Sequence, residues 1–147
     1  MGTAQVVVTV DIAVFRETVQ GLEILLIQRK KQPYAGQWAL PGGKLEEQDR
    51  TLEDAVRREL WEETGVDEVG MVQEVDAFGD VGRDPRGRYV SVLYASLLDS
   101  PVALWPESDA MDVEWFPVPL RPSPLAFDHD RLLSTAYSFI CNVRDLL

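Results

Sequence analysis

The stretch RRELWEETG, Arg57 to Gly65, sets three glutamates, a leucine and a tryptophan into nine residues. Its surroundings predict a helix. Thr51 is a good N-cap, with Asp54 three residues on in a capping-box relation, and Gly65 is a good C-terminal stop. At about 100° per residue, Leu52, Ala55, Val56 and Leu60 fall on one side. Glu53, Asp54, Arg57, Arg58 and Thr64 fall on the other, with Trp61 among them. Glu59, Glu62 and Glu63 fall on the apolar side and extend its stripe toward the helix end. One reading is a helix end that protrudes into water, leaving the glutamates hydrated. Against it, carboxylates are mildly disfavoured at the negative end of the helix dipole and repel one another at i, i+3 and i, i+4. Converging carboxylates need a cation, and an all-oxygen set points to Mg²⁺ or Mn²⁺ rather than zinc. The helix is therefore expected to be a metal platform.

Outward from this helix, Gln5–Phe15 and Leu22–Arg29 read as strands joined near Gln20 and Gly21. Lys31–Asp49 reads as loop around a short strand at Trp38–Leu40. Downstream, Gly70–Phe78, Arg88–Leu98 and Val113–Val118 read as strands. A closing helix is capped by Asp128 or Asp130, with an apolar stripe of Leu132, Leu133, Ala136, Tyr137, Ile140 and Val143. There is no repeat or linker, so one domain spanning residues 1–147 is expected, of the α+β class around a mixed sheet.

A net charge of −11 disfavours a nucleic-acid-binding surface, but a divalent cation would still let an acidic chain bind a polyanionic small molecule. No run is long enough to span a membrane, and the start lacks the basic region of a signal peptide. Val6 stands where a myristoylation pattern needs Ser or Thr. A single cysteine, Cys141, excludes an internal disulfide and fits a cytoplasmic setting.

GGKLEEQDRTLEDAVRRELWEETGV, Gly42–Val66, resembles the Nudix box, G-x5-E-x7-R-E-U-x-E-E-x-G-U with U aliphatic. Arg58, Glu59, Leu60, Glu62, Glu63, Gly65 and Val66 fit its second half without a gap, and WALPGG precedes it. The first half departs. Counted from Gly43, the glutamate position holds Asp49, and the loop is one residue too long to reach Arg58. Asp49, Glu46 or Glu47 could supply the missing carboxylate, or none of them. The resemblance implies an α/β/α sandwich and hydrolysis of a nucleoside diphosphate linked to another group. It implies Glu59, Glu62 and Glu63 as metal ligands, joined by the Gly43 carbonyl, with Arg58 orienting the glutamates.

FGDVGRDPRGRYVSVLYASL (Phe78–Leu97), SDAMDVEWFPV and PLAFDH (Pro124–His129) resemble bacterial ADP-ribose pyrophosphatases and the related sugar-sensing regulators. The expected reaction is ADP-ribose to AMP and ribose 5-phosphate. The alternatives are another nucleotide, such as an oxidised nucleoside triphosphate or NADH, or a non-catalytic ADP-ribose-sensing domain. The intact glutamate triad argues against the sensor, as does the absence of a DNA-binding extension after the last helix. The general base is a box glutamate or an outside carboxylate: Asp109, with Glu107 and Asp112 as rivals, or else PESDAMD is only an acidic loop. Arg29, Arg83, Arg86 and Arg88 are candidates to grip phosphates, though the last three could equally stabilise a turn. Tyr34 or Trp38 could stack on a base or lie in the core. His129, the single histidine, is expected to serve in capping or packing. The resemblance is compatible with a homodimer.

Overall fold

The computed structural model describes residues 1–98 and 110–145. Strand β1 (Val7–Thr18) organises the layers. Val10, Ile12 and Val14 alternate with Ala13 and Phe15, and all five are buried, so both faces of the strand are covered. Strand β2 (Gly21–Arg29) folds back antiparallel through the turn at Val19–Gln20. Short strands β3 (Trp38–Ala39) and β4 (Gly42–Lys44) come next, then helix α1 (Leu52–Thr64), strand β5 (Gln73–Phe78) and strand β6 (Tyr89–Leu98). Strand β7 (Ala110–Pro117), a 3-10 turn at Val118–Leu120 and helix α2 (His129–Asp145) complete the described residues.

These strands form one mixed sheet with the order β3-β2-β1-β6-β5, where β4 pairs with β1 and β7 with β2. Among the described residues only β1 and β6 run parallel. Helix α1 covers one face, where Ala55, Val56 and Leu60 meet Val10, Ile12, Val14 and Leu25. Helix α2 covers the other, where Leu132, Leu133 and Ala136 meet Ala13, Phe15, Leu26 and Leu93. The result is the expected α+β sandwich. No helix among the described residues is long and apolar enough to cross a membrane.

The site is set by a parting of strands. β1 pairs with β2 over Phe15–Thr18 but with β4 over Thr9–Asp11. β2 correspondingly leaves β1 and pairs with β3 at Ile27 and Gln28. Leu40 and Pro41 cross the gap, tied to β1 by Ile12 N–H donating to the Pro41 carbonyl at 2.9 Å.

Several boundaries differ from the sequence reading. β4 escapes the sequence pattern, because Gly-Gly-Lys offers no apolar alternation and its pairing with β1 is long-range. β5 begins at Gln73 rather than Gly70, since Gly70 adopts φ +63° and turns the chain before the strand. In α1 the N-cap is as expected: the Thr51 hydroxyl accepts from Asp54 N–H at 3.0 Å. Gly65 closes the helix at φ +77°. Thr64, placed by the wheel on the solvated side, is fully buried, because the chain after Gly65 packs back over the helix end through Val66 and Val69. Its hydroxyl donates to the Leu60 carbonyl at 2.6 Å. In α2, Tyr137 and Val143 lie on the exposed edge of the stripe. The Asp128 carboxylate is engaged by Arg83, and the Asp130 carboxylate accepts from Leu125 N–H.

Candidate functional site

Arg58 is the hub of the acidic end of α1. Its Nε and Nη2 donate to the two Asp49 oxygens at 2.9 and 2.7 Å. Its Nη1 lies 2.5 Å from Glu46, 2.8 Å from Glu59 and 3.4 Å from Glu62. The wheel gave Arg58 to the solvated face, but these four carboxylates draw the guanidinium over the helix shoulder and leave its side chain 15% exposed. The Asp49 bond pushes the Arg58 pKa up and holds the Asp49 carboxyl below its ordinary value. The one-residue excess in the loop is thereby accounted for. Asp49 reaches Arg58 bidentately, Glu46 joins the carboxylate cluster, and Glu47 is exposed.

Carboxylate oxygens of Glu46, Glu59 and Glu62 lie within 4.8 Å of one another. Three hard oxygen donors at that spacing suit Mg²⁺ or Mn²⁺. Burial raises the Glu59 carboxyl pKa, and the ion pair with Arg58 opposes the rise. Glu63 stands beside this trio on the cleft side, where its Oε1 accepts from Gly42 N–H at 2.8 Å. Burial, then the neighbouring Glu59, lift its pKa well above 4.5. Such a group gives up its proton readily only where positive charge is brought beside it.

Gly43 allows α1 to approach β4 this closely, and Gly42 allows β4 to lie as close to β1. A Cβ on Gly43 would fall 2.5 Å from the Glu59 carboxylate, and one on Gly42 would overlap the Val10 carbonyl oxygen and Asp11 Oδ1.

Glu63, Gly42 and Gly43 form one wall of a solvent-open cleft. Arg29, Arg83, Arg86, Asp84, Tyr89 and Phe127 line the rest, over a floor of Asp11, Leu40 and His129. The arginines differ in their commitments. Arg83 grips Asp128 through two bonds of 2.7 and 2.9 Å. Arg86 grips Asp84 at 2.8 and 3.1 Å and lies 4.8 Å over the Tyr89 ring. Burial works against ionisation of Asp84, yet Arg86 holds its pKa below the ordinary value. Arg29 donates to the Pro33 carbonyl at 2.8 Å and lies 4.8 Å over Phe127, with no carboxylate at ion-pair distance among the described residues. Burial and the nearby Arg86 lower its pKa. Three cations and two aromatic rings around one cleft suit an anionic ligand carrying a planar group.

A family model described as the NUDIX domain matches residues 6–135. The chain belongs to the NUDIX family. It is 39% identical over 138 residues to an ADPR responsive transcriptional repressor of Acinetobacter baylyi, covering 91% of this chain and 54% of that protein. It is also 39% identical over 113 residues to an ADP-ribose pyrophosphatase of Methanocaldococcus jannaschii, covering 76% of this chain and 63% of that protein. The chain thus spans between half and two thirds of the length of these curated relatives. The NUDIX domain of Shewanella oneidensis NrtR, solved as a complex with ADP ribose, superposes with a TM-score of 0.84 at 37% identity, covering 95% of this chain and 90% of that one.

Within this NUDIX domain, Arg29, Arg83, Arg86, Gly43 and Glu63 meet at the cleft, while Glu59 lies against Gly43 and Glu62 joins it in the carboxylate cluster with Glu46. Arg88 does not line the cleft: it is exposed and donates to the Gly79 carbonyl, holding the β5–β6 turn. Asp109 and Glu107 lie outside the described residues, and Asp112 is exposed on β7. Trp38 packs edge-on against Phe116 at 4.9 Å, and Tyr34 packs against Phe127 at 4.7 Å.

Sequence reasoning missed Asp11, Asp84, Tyr89 and Phe127. Asp11 left a readable signal: it is the lone charge in the run VVVTVDIAVF, where a buried carboxylate needs partners. Its Oδ2 accepts from the Ser91 hydroxyl across the parallel β1–β6 pairing.

Proposed function

We propose that this NUDIX domain hydrolyses the diphosphate of a nucleoside diphosphate linked to another moiety, with ADP-ribose as substrate and AMP and ribose 5-phosphate as products. The observation that carries the reading is the juxtaposition of the Glu46–Glu59–Glu62 cluster and Glu63 with an arginine-lined cleft. The relatives named for ADP-ribose support the choice of substrate.

Glu59, Glu62 and Glu63, with Glu46 and the Gly43 carbonyl, would hold Mg²⁺ or Mn²⁺. A divalent cation there supplies neutralisation of the charge that otherwise repels a nucleophile from the diphosphate. Arg29, assisted by Arg83 and Arg86, binds and orients the phosphates. Arg58 fixes the carboxylate rotamers through its four contacts. A water oxygen forms the new bond to one phosphorus, in line with the bridging P–O bond that breaks. Its proton passes to a carboxylate, for which Glu63 on the cleft wall and Asp109 are the candidates.

The test is incubation with ADP-ribose and Mg²⁺, with AMP followed chromatographically, beside oxidised nucleoside triphosphates and NADH. Absence of turnover across that panel would overturn the hydrolase reading. A second reading, an ADP-ribose sensor without turnover, is favoured by the similarity to the repressor over 91% of this chain. Calorimetric binding of ADP-ribose without AMP formation would support it.

A further inference from the structure

We propose that His129 is a positioning residue: a neutral imidazole strut that fixes the Leu40–Gly42 crossing and, through it, Glu63. The inference rests on the hydrolase reading for its kinetic consequence, though not for its geometry.

His129 begins α2 and is buried at the cleft floor. Its Nδ1 accepts from Leu40 N–H at 3.1 Å, which places the ring proton on Nε2. Nε2 faces Asp11 Oδ1 at 3.6 Å, and the other Asp11 oxygen accepts from the Ser91 hydroxyl. Arg83, Arg29 and Asp128 complete the charged surroundings of the ring. One imidazole thus joins α2, β1 and the crossing between β3 and β4.

What it joins controls Glu63. The segments PLAFDH and WALPGG run side by side: Ala126 N–H donates to the Trp38 carbonyl at 2.8 Å, and Leu40 N–H donates to His129. One residue on, the Pro41 carbonyl accepts from Ile12; after another, Gly42 N–H donates to Glu63. Asp11 lies against Gly42 closely enough that a Cβ there would overlap its Oδ1. The crossing therefore has three anchors within three residues, and the Gly42 N–H that aims Glu63 follows directly on the other two. A side chain serving only to fill the core would not need an acceptor at Nδ1. Phe at this position would fill the space yet leave the Leu40 amide unpaired, while Asn would present an oxygen in place of Nδ1.

The variants His129→Phe and His129→Asn test this. For His129→Phe the expected result is a kcat lower by on the order of 10- to 100-fold with KM little changed, and faster hydrogen exchange at the Leu40 and Gly42 amides. His129→Asn should recover most of the kcat and the protection. The wild-type imidazole, unambiguous in ¹⁵N spectra because His129 is the only histidine, should show a protonated Nε2 and an unprotonated Nδ1. Equal loss in the Phe and Asn variants, a proton on Nδ1, or wild-type amide protection in His129→Phe would each overturn the proposal. Failure of the wild type to turn over any diphosphate would refute the hydrolase reading instead. The exchange and tautomer measurements would then still decide whether the strut exists.

Discussion

Replacing Gly43 by alanine separates catalytic geometry from folding. Gly43 does not adopt positive φ, so the change tests space rather than backbone strain. The new Cβ would lie 2.5 Å from Glu59 Cδ and Oε1 and 2.7 Å from Oε2, whereas ordinary contact begins near 3.4 Å. The carboxylate must therefore retreat by roughly 0.9 Å, the shortfall from van der Waals contact. It can do so, because it is the far end of a flexible side chain. A misplacement of about 1 Å at a catalytic group costs on the order of 100-fold in rate. Gly43→Ala is thus expected to fold with a nearly unchanged melting temperature and to lose about 100-fold in kcat for ADP-ribose. Gly42→Ala is the contrast. Its Cβ would overlap the Val10 carbonyl, a backbone atom in the central strand, so the fold itself must yield. Overpacking of this kind destabilises by typically about 1–3 kcal/mol, so the melting temperature should fall as well as the rate. Steady-state kinetics and thermal unfolding on both variants decide the matter. A Gly43→Ala enzyme within about threefold of wild-type kcat would refute the argument that Glu59 sits where the chemistry needs it.

Arg58→Lys should lose on the order of 10- to 100-fold in kcat despite keeping its charge, because a single ammonium cannot reproduce the fork that spans Asp49 and Glu59; unimpaired kinetics would count against the hub. Arg29→Gln should weaken ADP-ribose binding by about 10- to 100-fold, measured by calorimetry in EDTA, since it removes a charge-assisted contact. Arg83→Gln, which also releases Asp128, should weaken binding less than Arg29→Gln and lower the melting temperature as well. Glu63 gives a pH signature. Its folded pKa lies above the unfolded value, so the folded chain binds the proton more tightly, and metal-free stability falls as pH rises from the ordinary carboxylate value through the folded pKa. Urea unfolding in EDTA across that window should show this slope reduced in Glu63→Gln; an unchanged slope would contradict the assignment.

Features that depend on local spacing are legible in the residues alone. Thr51, Gly65 and the 3.6-residue period define α1, and the positions of Glu59 and Glu63 around it turn both toward β4, while Glu62 beside Arg58 stays partly exposed. Short-range rules reach no further than a few turns. They could not tell that Thr64 would be roofed over by Val66 and Val69, nor which glutamates would join Glu46 and which one would turn to Gly42. The overlong loop is the clearest case. Counting residues leaves its carboxylate out of step, whereas in three dimensions Asp49 and Glu46 both reach Arg58 because a loop can absorb an extra residue that a helix cannot. Likewise Asp11, Ser91 and His129 come from three distant segments. Their meeting follows from the parallel pairing of β1 with β6 and from the crossing of Leu40 onto α2. Burial then makes each polar group there find a partner, and the three-dimensional packing of distant segments sets which partner is within reach.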